Sequence, residues 1–195
     1  GLIASAGYAT VKVYKKPKVK VIITGNELVE PTKEEIDKAK IINSNQFTIK
    51  AMIEDSGAIA DIGHAGDTFD EVKEAVLKAS QEYDVIMTTG GTAISKGDVV
   101  LDVVDDIGEV LFHGVAIRPG KPAGAGIVNG KMVFTFSGQP VAAMSQFDMF
   151  ARKYLFEMQG RAFDFQIVKR TSQLKIPSQL GRTDFIRAVS DEEHA

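Results

Sequence analysis

Residues 84–100 read DVIMTTGGTAISKGDVV. The apolar run Val85-Ile86-Met87 leads without a break into Thr88-Thr89-Gly90-Gly91-Thr92, and Asp98 follows shortly after. A short continuous apolar run that ends in turn residues marks a strand buried on both faces. Such a strand needs helices above and below its sheet, so the stretch points to an α/β fold. The glycines permit a tight turn, and they also let backbone N–H groups approach an anion at the start of the next helix. Thr88, Thr89 and Thr92 add hydroxyls, and Asp98 suits a hydrated divalent cation beside phosphates. The stretch matches neither the dinucleotide glycine pattern nor the P-loop. A plain tight turn and a ligand loop both remain open here.

The flanking sequence alternates in the same way. Residues 19–24, VKVIIT, form a second buried strand, residues 58–66 a short one, and residues 109–117 another. Residues 124–136, GAGIVNGKMVFTF, predict a hairpin turning on Asn129-Gly130. Thr32 with Glu35, and Thr68 with Glu71, match the capping-box spacing at two helix starts. In the second of these helices, Phe69, Val72, Val76 and Ala79 fall on one face. The stretch QFTIKAMIEDSG reads as a helix ending at Gly57, and a short helix is expected over 98–106. Residues 140–160 predict a long helix that stops at Gly160, with Val141, Met144, Phe147, Ala151, Tyr154 and Met158 inward. The fold expected is a three-layer α/β/α domain on a mainly parallel sheet over residues 18–160. Residues 1–17 read as an entry segment, and residues 161–195 as the start of a small β domain that ends early.

The bulk composition is that of an ordinary globular chain: 195 residues, 44% hydrophobic, 25% charged. A net charge of -3 removes any bulk electrostatic case for nucleic acid or an anionic membrane. No apolar run approaches the roughly 20 residues of a membrane helix, and the first residues lack a signal-peptide core. With no cysteine, disulfides and thiolate metal sites are excluded. These features fit the cytoplasm.

In an open α/β sheet, ligands bind beyond the carboxyl ends of the strands. Four loops fall there. The first is Thr24-Gly25-Asn26-Glu27-Leu28, where Glu27 is either an acid at the mouth of the sheet or a solvated loop residue. The second holds His64 and Asp67; Asp67 also complements the start of the following helix, and His64 lacks metal-ligand spacing. The third is the glycine turn described above. The fourth pairs Arg118, Pro119 and Lys121 with Ser137-Gly138-Gln139-Pro140. Two cations on a rigid turn suit a phosphate or another oxyanion, or are plain solvated charge.

Taken in order, VIITGNEL, INSNQF, GGTAISKGD, LFHGVAIRPGKP and SGQPVAA resemble the motifs of the molybdopterin molybdenumtransferases, the family of bacterial MoeA and the gephyrin E domain. The resemblance covers nearly the whole chain. It implies an enzyme of molybdenum cofactor biosynthesis that takes adenylylated molybdopterin and molybdate (or tungstate), uses Mg2+, and releases AMP. It implies catalytic and Mg2+-binding roles for Glu27, Asp67 and Asp98. Substrate contacts fall on Thr24, Gly25, Thr89, Gly90, Gly91, Thr92, Ser137, Gly138 and Pro140, and oxyanion contacts on Arg118, Pro119 and Lys121. It further implies an upstream partner, molybdopterin adenylyltransferase, and a homodimer in the full-length protein.

The chain departs from the family pattern at several points. Gly114 stands where many members have lysine, Asn26 and Asn43 replace aspartates, Ser95 and Lys96 alter the glycine loop, and Ser137 and Gln139 alter P-G-N-P. The family's further N-terminal domains are missing, so a fragment of a larger enzyme is expected, and turnover by this stretch alone is left open. Two alternatives stand beside the transferase: a molybdopterin adenylyltransferase, against which Ala93 and the Arg118–Lys121 motif argue, and a non-catalytic pterin-binding or scaffold module.

Overall fold

The computed structural model describes residues 1–31, 41–90 and 98–189. The Thr32/Glu35 capping box, Gly91, Thr92, Ser95 and Lys96 lie outside the described residues.

The buried apolar runs become the centre of one six-stranded sheet, ordered β4-β1-β5-β9-β8-β6. Strands β1 (Lys18–Thr24), β4 (Ile59–Ala65), β5 (Val85–Thr89) and β9 (Lys131–Phe136) run parallel. Strands β8 (Gly124–Val128) and β6 (Glu109–His113) complete one side antiparallel, with a bulge between Val110 and Phe112. The hairpin predicted from Asn129-Gly130 joins β8 to β9, with φ of 50° and 73° at the two turn residues. That pair of left-handed residues is what a two-residue turn of matching twist requires. A two-stranded ribbon pairs β2 (Leu28–Val29) with β3 (Ile41–Ile42). Another pairs β7 (Ile117–Arg118) with β10 (Thr183–Asp184). Neither ribbon was foreseen in the sequence, since two residues give no period to read.

Helices cover both faces. On one lie α2 (Asn45–Asp55), α5 (Pro140–Gln146) and α6 (Arg152–Met158), the last two joined through residues 147–151; together they bury Ile49, Ile53, Ala143, Phe147 and Leu155 against Val21, Met87 and Phe136. On the other lie α3 (Phe69–Glu82) and α4 (Val99–Ile107), which bury Val72, Val76, Val100 and Val104 against Ile22, Ile86 and Val133. Each large aliphatic side chain so buried contributes about 1.5–3 kcal/mol. The three-layer expectation holds. Thr68 caps α3 in a full capping box with Glu71, and Gly57 ends the α2 segment at φ +83.

Two face assignments change. Phe69 is exposed, with the Lys73 ammonium 5.8 Å over its ring, because it sits at the first turn of α3, beyond the sheet. Val141 is also exposed; the fully buried positions of the long helix are Ala142, Ala143, Gln146, Phe147, Ala151 and Leu155, and Tyr154 and Met158 pack partly buried against the same core as expected. Each four-residue step around an α-helix drifts by about 40°. A π-helical turn at Phe147–Ala151 absorbs that drift and keeps Ala143, Phe147, Ala151 and Leu155 in line. A short helix α1 (Leu2–Ser5) lies in an exposed segment that enters the sheet at buried Pro17. After Met158 the regular structure among the described residues is β10 alone.

Candidate functional site

The parallel strands end at one edge, and the glycines there have different reasons to be glycine. At Gly90, φ is +94 and an added Cβ would lie 2.2 Å from the Thr24 carbonyl oxygen, so the exit of β5 passes directly over the end of β1. Gly138 faces it, with a Cβ position 3.5 Å from the Gly90 Cα. At Gly25, φ is +137 and the Glu27 carboxylate folds back to 2.9 Å from where a Cβ would be. Thr24, Thr89, Gly90, Gly138 and Pro140 line a cleft of about 340 Å³, with Glu27, Asn43 and Asn45 on its walls. The sequence-predicted substrate residues Thr24, Thr89, Gly90, Gly138 and Pro140 are therefore brought together; Gly25 lies next to Thr24, and Ser137 belongs to a second cleft.

Buried polar groups are almost always hydrogen-bonded, and an unpaired one costs about 1–3 kcal/mol. Among the described residues the buried side-chain atoms without a protein partner are Thr24 Oγ1, Asn43 Nδ2, Asn45 Oδ1, Thr88 Oγ1, Thr135 Oγ1 and Asp98 Oδ2. All of them sit at this one sheet edge. Three of these residues, Thr24, Asn43 and Asn45, line the cleft. Asn45 spends its amide N–H on the Gly138 carbonyl at 2.9 Å and keeps its oxygen free, while Asn43 accepts from the Gln46 N–H at 3.3 Å and keeps its amino group free. The cleft thus presents both donors and acceptors without a net charge of its own beyond Glu27.

A second cleft of about 600 Å³ adjoins the first, and Gln139 lines both. Its walls are the Arg118–Lys121 turn, Ser137 and residues 179–182. The Arg118-Pro119 bond is cis. Arg118, Pro119 and Lys121 all line this cleft, but the arginine is already engaged. Its Nε lies 3.0 Å from Asp184 Oδ1 and its terminal nitrogen 3.1 Å from Asp184 Oδ2. Asp184 also takes the Ser178 hydroxyl at 2.7 Å and Arg182 Nε at 3.1 Å. The Ser178 hydrogen bond, with the two guanidinium charges, holds the Asp184 carboxyl below the usual range. Lys121 forms no ion pair among the described residues. Gly114, at φ +76, closes the base of this loop by donating its N–H to the Ala123 carbonyl at 2.8 Å.

The three acids take separate positions. Glu27 faces the first cleft. Asp67 reaches back from the start of α3 and accepts the Asn26 N–H at 3.1 Å, tying that loop to the end of β1. Asp98 is the N-cap of α4: Oδ1 accepts the Leu101 N–H at 3.2 Å, and Oδ2 lies 3.8 Å from His113 Nε2. Asp98 is only 5% exposed, and burial raises its carboxyl above the ordinary value, against the opposing pull of the Leu101 N–H and His113. Among the described residues no group of three acidic or imidazole side chains converges on a point that could hold a metal ion. His64 is at the surface, 3.8 Å from the Glu30 carboxylate.

Sequence reasoning missed Asn45, Gln146, His113 and Asp184. Asn45 carried a signal, a polar residue at the first position of a helix beside a predicted ligand loop. Gln146 carried one too, an amide on the inward face of a helix. Asp184 lies 66 residues from Arg118, a separation no local pattern reports.

The family model described as "Probable molybdopterin binding domain" matches residues 20–157. The chain belongs to that molybdopterin-binding family. A Methanocaldococcus jannaschii protein named for molybdopterin biosynthesis is 38% identical over 202 residues, covering 98% of this chain and 48% of its own length. A Staphylococcus aureus protein named molybdopterin molybdenumtransferase is 35% identical over 190 residues, covering 96% of this chain and 45% of its own. The crystal structure of a molybdopterin biosynthesis MoeA protein from Pyrococcus horikoshii OT3 matches with a TM-score of 0.71 at 34% identity, over 94% of this chain and 44% of that one. The chain therefore spans about half the length of the curated relatives it matches. Among the described residues no helix is long and apolar enough to cross a membrane.

Proposed function

We propose that this chain forms the substrate-binding part of a molybdopterin molybdenumtransferase. It would bind adenylylated molybdopterin, hydrolyse its phosphoanhydride with one water so that AMP leaves and the molybdopterin phosphate remains, and join molybdate or tungstate to the dithiolene, whose two sulfurs displace oxygen ligands that leave as water. The carrying observation is the concentration of unpartnered buried polar atoms at the carboxyl edge of the sheet, around glycines that admit a ligand to the backbone. In the first cleft, Thr24, Asn43 and Asn45 supply hydrogen bonds to the edges of a heterocycle. Gly90 and Gly138, with Gly91 and Thr92 beyond the described residues, admit the phosphates. In the second, Lys121 is the available cation for the oxyanion, with Arg118 shared with Asp184.

Mg2+ is usually held by one or two carboxylates together with substrate phosphates. Glu27 fits that demand as a carboxylate on the cleft wall, and the ion would neutralise phosphate charge there. Asp67 positions the loop that carries Glu27 through the Asn26 amide. Asp98 faces the same edge with a carboxyl that burial raises above the ordinary value. The substrate is itself the product of adenylyl transfer to molybdopterin, so an adenylyltransferase acts upstream. A homodimer is part of this reading, as is a cytoplasmic location.

The test is AMP release from adenylylated molybdopterin by the full-length protein with molybdate and Mg2+, beside Asn45→Leu. The wild type is expected to release AMP. The variant should bind the substrate at least about tenfold more weakly, the equivalent of one lost hydrogen bond of about 1.4 kcal/mol. A wild-type protein that binds no adenylylated molybdopterin would sink the proposal.

A further inference from the structure

The two clefts share a wall, and one buried side chain ties that wall to the far side of the second cleft. Gln146, the last residue of α5, is 0% exposed. Its Oε1 accepts the Ser137 N–H at 2.7 Å, and its Nε2 donates to the Gly120 carbonyl at 2.9 Å. Ser137 opens the loop that continues through Gly138 to Gln139, and Gly120 lies between Pro119 and Lys121. Gly120 is shaped around this amide: its φ is +113, and a Cβ there would lie 3.0 Å from Gln146 Cγ. On the opposite side the same loop is held by Asn45, which donates to the Gly138 carbonyl at 2.9 Å. The loop Ser137-Gly138-Gln139 is thus pinned from the first cleft by Asn45 and from the second by Gln146.

We propose that Gln146 is a positioning residue that couples the two clefts, so that a ligand in the first raises the affinity of the second for an oxyanion. This rests on the two-cleft reading above. A heterocycle or phosphate seated against Gly138 and Gln139 fixes the shared wall. Through Ser137 and the Gln146 amide, that order passes to Gly120 and so to the turn that presents Lys121. The second ligand then meets a turn whose ordering cost is already met, which is the physical content of positive coupling without a large movement. A buried primary amide suits this role because it offers an acceptor oxygen and a donor nitrogen at a fixed separation and does not titrate.

The experiment is calorimetric titration of the full-length protein with molybdate, alone and with saturating AMP, for wild type, Gln146→Met and Gln146→Glu. Methionine keeps the length and packing and removes both hydrogen bonds; an ionised glutamate keeps the acceptor for Ser137 and removes the donor to Gly120. In the wild type, AMP is expected to tighten molybdate binding about fivefold or more, within the usual range of coupling between sites. In Gln146→Met each ligand alone should bind within about twofold of wild type while the AMP effect disappears, and rates should show KM for molybdate rising with kcat little changed. Gln146→Glu should lose the coupling too, and serves if the methionine variant does not fold. If the variants weaken both single ligands and keep the coupling, Gln146 is only structural and the inference falls. Wild-type binding of both ligands without coupling also overturns it, and leaves the two-cleft reading standing. Binding of neither ligand overturns that reading, and the inference with it.

Discussion

The two clefts differ in whether their polar groups are already used. In the first, Thr24, Asn43 and Asn45 each leave a buried polar atom without a protein partner. In the second, the most conspicuous cation, Arg118, is clasped by Asp184 with both ends of its guanidinium, and Asp184 is only 4% exposed. An arginine on a rigid turn looks from the sequence like an anion site, whereas a pair of asparagines beside a helix start gives a weaker signal. The folded protein reverses that ranking. What a side chain can offer a ligand depends on what the rest of the chain has left it, and a planar guanidinium pairs with one carboxylate through two parallel hydrogen bonds.

The largest expected effect lies at the first cleft's floor. Gly90→Ala must push a Cβ against the Thr24 carbonyl, backbone against backbone, in a left-handed conformation. It should cost roughly 3 kcal/mol of stability and abolish substrate binding. Gly114→Ala, beside the second cleft, has a left-handed φ too, but its Cβ would meet nothing nearer than the Lys121 carbonyl at 3.8 Å. It should cost only about 1 kcal/mol. Urea unfolding of both variants checks the contrast, and equal costs would mean that the close passage of β5 over β1 is not what makes Gly90 a glycine.

A smaller effect is expected from releasing the arginine. Asp184→Ala should raise molybdate affinity by about twofold to fivefold, the scale of a partly exposed ion pair, and should make binding more sensitive to salt. An affinity that falls would show that Asp184 holds Arg118 in its binding pose, and the second cleft would then be built rather than blocked.

Most of the fold was legible because it is written in local patterns. Val19 to Thr24 and Val85 to Thr89 are short apolar runs, Thr68 and Glu71 sit three apart, and Asn129-Gly130 is a turn with one natural geometry. The exceptions are informative. Val141 and Phe69 still face outward, since Val141 lies about 120° around the helix from buried Phe147 and Phe69 sits in the first turn of α3. At the site, the sequence brought residues to one edge of the sheet but did not report their partners. Asp98 with His113, Gln146 with Gly120 and Arg118 with Asp184 are pairings made only by the strand order, across separations that no spacing rule spans.

Asp98 lies between the two cases, with one oxygen committed to capping α4 and the other uncommitted. Burial raises its carboxyl, so the folded protein keeps this proton to a higher pH than the unfolded chain, where the group titrates near 3.8. Between 3.8 and the raised folded value, the native state binds more protons, and stability must fall as pH rises. Below that window the group contributes no slope, and above it the cost of holding a buried charge is fully present. Asp98→Asn keeps an oxygen for the Leu101 N–H and carries no proton to lose. Its stability relative to wild type should therefore climb through the window and then level off, as read from urea midpoints taken between pH 4 and 8. Asp98→Ala would lose the cap as well, about 1 kcal/mol at every pH, which separates capping from titration. A relative stability that instead falls as pH rises would mean that the ionised carboxylate is welcome in the fold. His113, 3.8 Å away, would then be a working partner, and Asp98 would belong with Arg118 among the groups already spent.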